Sequence, residues 1–443
     1  MTISIIIGAE QQTSITARLQ VANRILDVLE SYRLRHRDGT SDRNDEGRKR
    51  FLPIVMRKVE YFQPIHMVLP AFPFKSPNND SKVLGTIPDK GEEIALAHLD
   101  GLCKSIEDIY NPGAQVTIAS DGIVYNGNSQ NTIDEQTYEI NAEIDLLGVS
   151  DRDVWIYGQT LRKISESSGF NHIRFIPLRD LLGLDLSEPV SEETYVAQAQ
   201  NFRDKMSQLY TPAGFDIRQE ILKNEDAAAT YRGYIKFLSK DLANTKTYET
   251  KISKSAIKKR NEVVARKMMA RGKAFAAAVQ TNLKDYVRLS IHPSSGSTKF
   301  SIALFPHTSH NMTPWHATTL YGLNGSVTTA HLDSLKTSTS HELVFKGGAP
   351  WYYRERSDLY HWSDIRISFE HLYPTGLLIT PVPGFDIRSF SSIDATKLRC
   401  LAEQNSPVIL RGFTKMDIRV VINEVAEPVP ISECHGLDFQ SSK

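Results

Sequence analysis

Four groups of residues in this chain have types and spacings suited to chemistry. Five histidines, His292, His307, His310, His316 and His331, gather late in the chain. Histidine changes charge near neutral pH, so it can move protons or ligate a metal. Residues 294–299 (SSGSTK) follow Arg288-Leu289-Ser290-Ile291-His292-Pro293. Small residues with free amides and hydroxyls, flanked by Arg, His and Lys, suit a phosphate group. The spacing is not that of a P-loop, and the same run also reads as a plain hairpin turn. Lys75 lies between Phe74 and Ser76. A lysine among apolar rings has a lowered pKa and can serve as base, Schiff-base former or anion contact; an exposed loop lysine is the plainer alternative. Residues 246–273 carry ten Lys/Arg against Glu249 and Glu262, a local net of +8. That block is either a solvated helix face or a positive wall facing a small anionic substrate. Nucleic acid is less favoured, because aromatic interleaving is absent.

Three H-x-D pairs bear on iron, which oxygenases hold with two His and one carboxylate. His36 and Asp38 lie in a charged stretch with no strand to fix them. His98 and Asp100 fall within a predicted helix, which points i and i+2 to different sides. His331 and Asp333 stand at a predicted strand end and are the better placed. There is no G-x-S-x-G, H-E-x-x-H or G-x-G-x-x-G, so serine hydrolase, zincin and NAD-binding readings lose their usual support.

The elements that must position these residues are partly legible. Residues 16–34 have Ala22, Ile25, Leu26 and Leu29 at helical spacing, while 3–7 reads as a strand and 35–50 as a solvated loop. Residues 64–90 are Pro-rich and read as irregular. Asp89 with Glu92 forms a capping box for a helix that places Leu99, Leu102, Cys103 and Ile106 on one face. Residues 116–119 form a short strand ending in Ser120-Asp121-Gly122, the polar turn expected at the carboxyl edge of a parallel sheet. A helix near 151–168 and a strand at 173–178 complete a Rossmann-like unit. Helices follow over 191–210 and 217–242, then a β-rich stretch from 286 to 369, with a boundary near 376–384.

Length and charge narrow the classes. The chain has 443 residues with 52 basic and 52 acidic side chains, 40% hydrophobic and 23% charged. That balance disfavours a dedicated nucleic-acid binder. Cys103, Cys400 and Cys434 show no CxxC spacing, so neither a disulfide framework nor a cysteine zinc site is expected. The start lacks a signal-peptide pattern and no run reaches membrane-spanning length; a soluble cytoplasmic protein is expected.

Three segments together resemble one family: residues 72–96 (FPFKSPNNDSKVLGTIPDKGEEIAL), 120–125 (SDGIVY) and 288–316 (RLSIHP…MTPWH). Residues 146–157 (LLGVSDRDVWIY) and 233–242 (GYIKFLSKDL) fit as well. They resemble the isocyanide (isonitrile) synthases related to the pyoverdine and dityrosine biosynthesis proteins, over roughly residues 50–375. The resemblance implies an α/β, Rossmann-like core with helical and β-rich additions. It implies condensation of an amino-acid α-amine with the ketone of ribulose 5-phosphate, whose C2 becomes the isocyanide carbon as phosphate leaves and carbon–carbon bonds break. L-Tyrosine is the preferred substrate, with tryptophan and valine open. No metal or organic cofactor is implied.

The residues meet those demands. His292 and His316 can supply the proton transfers of imine chemistry, and Asp121 can orient the amine or act as base. Lys75, Arg288, Ser294, Ser295 and Lys299 offer cations and donors to a sugar phosphate, beside Phe74 and Ser76. Trp315 can stack on an aromatic side chain or simply pack in the core. The partners expected are small molecules, with neither nucleic acid nor membrane and with room for a downstream tailoring enzyme. Residues 377–413 resemble the opening of a TauD-like, 2-oxoglutarate-dependent dioxygenase. Past residue 376 no H-x-D occurs and His435 stands alone, so no dioxygenase activity is expected from 376–443, a truncated or remnant segment. Two further classes stay open: an iron(II) dioxygenase built on His331 and Asp333, and a phosphosugar- or nucleic-acid-binding module built on the basic block.

Overall fold

The computed structural model describes residues 2–34, 44–120, 122–126, 149–184, 191–241, 253–292, 299–306, 313–322, 325–338, 340–356, 358–360, 362, 366–372, 376–382 and 393–413, with side chains from residue 15 onward except 226, 256 and 404. The chain divides into two compact units, residues 1–338 and 339–443.

In the first unit, apolar segments bounded by Pro and polar turns form a parallel sheet. Its strands are β1 (Ile65–Pro70), β2 (Ala114–Ala119), β3 (Ile173–Ile176), β4 (Val287–Ser290) and β5 (Phe300–Ser301), in the order β3-β2-β1-β4-β5. Every neighbouring pair is parallel. Two helices, α1 (Thr2–Ser31) and α2 (Asn44–Glu60), precede the sheet. Helix α3 (Lys90–Glu107) crosses from β1 to β2. After β2 come the short α4 (Gly122–Tyr125) and α5 (Asp151–Ser167), which crosses to β3. Then follow α6 (Leu178–Leu181), α7 (Glu192–Tyr210), α8 (Ile217–Lys223), α9 (Glu225–Asp241) and the long α10 (Lys254–Asn282), which leads to β4. A hairpin of β6 (Thr318–Tyr321) and β7 (Val327–Ala330) and the short α11 (Leu332–Lys336) close the unit. This is an α/β, Rossmann-like core. Its central strands are apolar nearly throughout because helices can cover both faces of a parallel sheet.

In the second unit, β8 (His341–Lys346) and β9 (Ala349–Glu355) form an antiparallel hairpin through Gly347-Gly348, both at positive φ. Strands β10 (Ile367–His371) and β11 (Leu377–Pro381) pair antiparallel. Helix α12 (Ala395–Asn405), capped by Asp394, leads to β12 (Val408–Leu410), which pairs parallel with β11. Trp362, Phe369, Leu377, Ile379 and Leu401 form its core. The segment boundary expected near 376 thus lies between two strands that pair with each other.

Several local expectations are corrected. Residues 3–7 are helical, because no break separates them from the amphipathic run that follows. Of the expected loop 35–50, residues 44–50 open α2: Asp45 and Glu46 stand at its positive N-terminal end, and Arg48 ties it to Glu30 and Asp27 of α1. The expected irregular stretch 64–90 begins with β1, whose bracketing prolines imitate a loop. The expected helix 217–242 is broken at Asn224, whose side chain accepts from Ala227 N.

Candidate active site

Strands β1 to β4 end at one edge of the sheet. Successive strands β1, β2 and β3 build outward to one side, and β4 then returns to the other side of β1. Open α/β sheets bind ligands where the strand order reverses, here between the carboxyl ends of β1 and β4. Phe72 follows β1, Ser120 follows β2 and His292 follows β4.

The chain leaving β1 is held in an unusual conformation. Phe72 has φ 60°, in the left-handed region that a bulky side chain rarely occupies. Its ring is buried 5.0 Å from that of Trp315, itself buried. Gly122 permits the close approach of the turn after β2: a Cβ there would lie 2.1 Å from the Pro73 carbonyl oxygen. Gly91 does the same for α3, where a Cβ would meet Thr319 Oγ1 at 2.4 Å.

Two charged clusters flank this segment. The first is closed. Lys75 Nζ donates to Asp89 Oδ2 (2.8 Å) and to the Pro314 carbonyl (2.9 Å), and lies 2.9 Å from Glu92 Oε2. Asp89 caps α3 by accepting from Gly91 N (2.8 Å), while its own N–H donates to Glu92 Oε2 (2.9 Å). Tyr157 of α5 donates to Glu92 Oε1 (3.1 Å). The side chains of Lys75 and Glu92 have no exposed surface. Burial alone would lower the Lys75 pKa, but the charges and hydrogen bonds of Asp89 and Glu92 raise it above the ordinary lysine value. Burial pushes Glu92 up to about 7, against the pull of Lys75 and with Asp89 adding to the rise. One ammonium facing two carboxylates in a dry site favours a proton on the second carboxylate.

The second cluster is open. Lys82 pairs with Asp241, the last residue of α9. Asp241 Oδ2 accepts from His316 Nδ1 (3.0 Å), and the Phe237 ring meets the His316 ring edge-on at 4.7 Å. Burial would raise the Asp241 pKa, but the His316 hydrogen bond and the His316 and Lys82 charges hold it below the usual carboxylate range. Lys82 and Asp241 are buried, whereas the His316 side chain keeps 30% of its surface exposed. With Nδ1 committed to Asp241, Nε2 is the nitrogen left for a further partner, the arrangement an oriented general base needs. His292 is also exposed. Surrounding protein, followed by the charges of Lys299 and His316, lowers its pKa below the ordinary histidine value, a shift that its exposed surface limits.

The structure therefore gathers Lys75, His292, Trp315 and His316 at this edge, and it corrects the role expected of Lys75. That lysine is neither an exposed loop residue nor a lowered-pKa amine, because two buried carboxylates outweigh desolvation. Phe74 and Ser76 are buried beside it, and Ser76 N donates to the Trp315 carbonyl (2.8 Å). Arg288 lies half-buried on β4 and Lys299 half-buried before β5. Asp121, Ser294, Ser295, His307 and His310 lie outside the described residues. His331 is exposed at the start of α11, and among the described residues no three His, Cys, Asp or Glu side chains converge as a metal site. The basic block is not one wall. On α10, Lys258, Lys259 and Lys273 face solvent, while Arg271 is buried and donates to the Asn126 carbonyl, because a helix turns its successive residues to different sides. Sequence reasoning missed Lys82, Asp241 and Tyr157. All three lie in the quoted family segments, but nothing local to their stretches pairs them.

Residues 55–344 match the family described as pyoverdine/dityrosine biosynthesis protein. The chain belongs to this family. It is 40% identical to isocyanide synthase xanB of Aspergillus fumigatus over 92% of this chain and 52% of that protein. It is 31% identical to an L-tyrosine isonitrile synthase of Pseudomonas aeruginosa over 75% of this chain and 93% of that protein. The crystal structure of the PvcA protein from P. aeruginosa superposes with TM-score 0.63 at 29% identity, covering 76% of this chain and all of that one. The chain spans about half the length of xanB. Among the described residues, no helix is long and apolar enough to cross a membrane.

Proposed function

We propose that this family member is an amino-acid isocyanide synthase that joins an α-amine, L-tyrosine by preference, to ribulose 5-phosphate in secondary-metabolite biosynthesis. The observation that carries the reading is the Asp241–His316 dyad, whose histidine keeps exposed surface beside the segment that follows β1. Carbinolamine formation and its dehydration to an imine each need a proton moved near neutral pH, and His316 Nε2 serves that exchange. His292 accepts or relays a proton beside it. Arg288 and Lys299 are assigned to the phosphate, and Asp121, Ser294 and Ser295 keep their assigned roles on sequence grounds. Lys75 is assigned to anchoring the segment after β1 electrostatically. The natural setting is read as cytoplasmic, with small molecules as partners, and residues 376–443 as a dioxygenase-like segment.

The test is direct. The protein is incubated with ribulose 5-phosphate and, separately, tyrosine, tryptophan and valine, and isocyanide is sought by mass spectrometry. Isocyanide from tyrosine, in a reaction that needs the sugar phosphate, is the expected result. No isocyanide with any of the three refutes the reading.

A further inference from the structure

A cavity of about 250 Å³ opens between α5, the turn from β3 to α6, and α7. Lys75, Arg288, His292, Trp315 and His316 do not line it. It adjoins the switch-point segment through Ser120 on its rim, whose hydroxyl donates to the Phe72 carbonyl (3.0 Å). Its walls are largely apolar and aromatic. The Trp155 and Tyr195 rings lie 4.7 Å apart at 42°, and Phe175 also lines the cavity. Two arginines face it. Arg179 is paired with Asp180 at 2.9 Å. Arg162, half-buried, has no hydrogen bond or ion pair among the described residues, and its guanidinium lies 5.8 Å from the Phe175 ring. Burial pulls the Arg162 pKa down, with Arg179 adding to the fall, and the more distant charges of Asp180 and Glu166 do not make it up.

A half-buried guanidinium with no carboxylate in direct contact gains from a bound anion, and its planar fork matches a carboxylate in bidentate fashion. Aromatic walls beside it accept a ring, by offset or edge-on contact. The volume suits one molecule of amino-acid size. We propose that this cavity binds a small aromatic carboxylate, with its carboxylate on Arg162 and its ring against Trp155 and Tyr195. The inference deepens the proposed function and rests on it only in identifying the natural ligand as the aromatic amino-acid substrate.

The test uses 3-(4-hydroxyphenyl)propanoate, which has the ring and the carboxylate but no amine and so cannot react. Its binding to the full chain is measured by calorimetry for the wild type, Arg162→Gln, Arg162→Lys and His316→Ala, with circular dichroism melts for each. Losing a charge-assisted contact should weaken binding about tenfold or more in Arg162→Gln. Arg162→Lys should fall between, and His316→Ala should bind as the wild type does. With tyrosine as substrate, Arg162→Gln should raise KM more than it lowers kcat. No binding by the wild type, equal binding by Arg162→Gln and Arg162→Lys with melts unchanged, or loss of binding in His316→Ala each overturns the proposal. Inorganic phosphate displacing the probe as readily as a second aromatic carboxylate does so too. Arg162-dependent binding without isocyanide formation keeps the cavity and removes the synthase reading, and the converse removes the cavity alone.

Discussion

The two charged clusters beside β1 are built from similar parts and end differently. Each joins a buried lysine to a buried carboxylate. Around Lys75 the polar atoms face inward: Asp89 also caps α3, Glu92 is held by Tyr157, and the lysine reaches a backbone carbonyl. Around Lys82 the chain of contacts runs outward through Asp241 to a histidine with solvent-exposed surface. Enclosure makes the first cluster a structural clamp, since a fully buried proton exchanges slowly with substrate or solvent. Exposure of the last member leaves the second open to solvent, as the proton-moving role proposed for His316 requires.

The largest expected effect breaks the closed cluster. Lys75→Met leaves two buried carboxylates without their cation and should destabilise the protein by about 3–5 kcal/mol in urea or thermal unfolding. A variant folded as stably as the wild type would remove the clamp.

The next effect concerns pH. Glu92 is raised from its ordinary value to about 7 in the folded state, so its ionisation opposes folding. Its contribution is fully present below about pH 4.5 and is lost as pH rises through about 7, by up to about 3 kcal/mol for a shift of that size. Glu92→Gln should flatten the stability profile between pH 5 and 8, as read by unfolding at each pH; an unchanged slope would place the titration elsewhere.

Smaller again is Gly122→Ala. Its methyl group would press on the Pro73 carbonyl, and the shift should lower stability by about 1–3 kcal/mol. Activity should fall further than that loss of folded protein explains, because the carboxyl edge itself moves. The smallest effect is Tyr157→Phe, which removes one hydrogen bond to Glu92 for about 1 kcal/mol of stability, with kcat unchanged.

The sequence makes legible what depends on local pattern. The capping box at Asp89 and Glu92 is present atom for atom, and the strand–turn at Ser120 falls at the carboxyl edge. What depends on distant pairing is not legible. Lys82 and Asp241 lie far apart in the chain, as do Lys75 and Pro314, and no periodicity links them. Lys75 shows why this matters. Its apolar neighbour Phe74 argues for a lowered pKa, and only the fold reveals the two carboxylates that reverse the sign. The basic block fails for the converse reason: a linear run of charge is wrapped around α10 and shared among several surroundings.

The distinction between clamp and proton device rests most directly on His316→Ala, with turnover and thermal unfolding measured on the same preparation. Loss of an oriented acid–base group should lower kcat for isocyanide formation by about 10²–10⁴-fold, while the unfolding free energy falls by only about 1–3 kcal/mol and the protein stays folded. Wild-type turnover, or a loss of activity matched by an equal loss of folded protein, would contradict it.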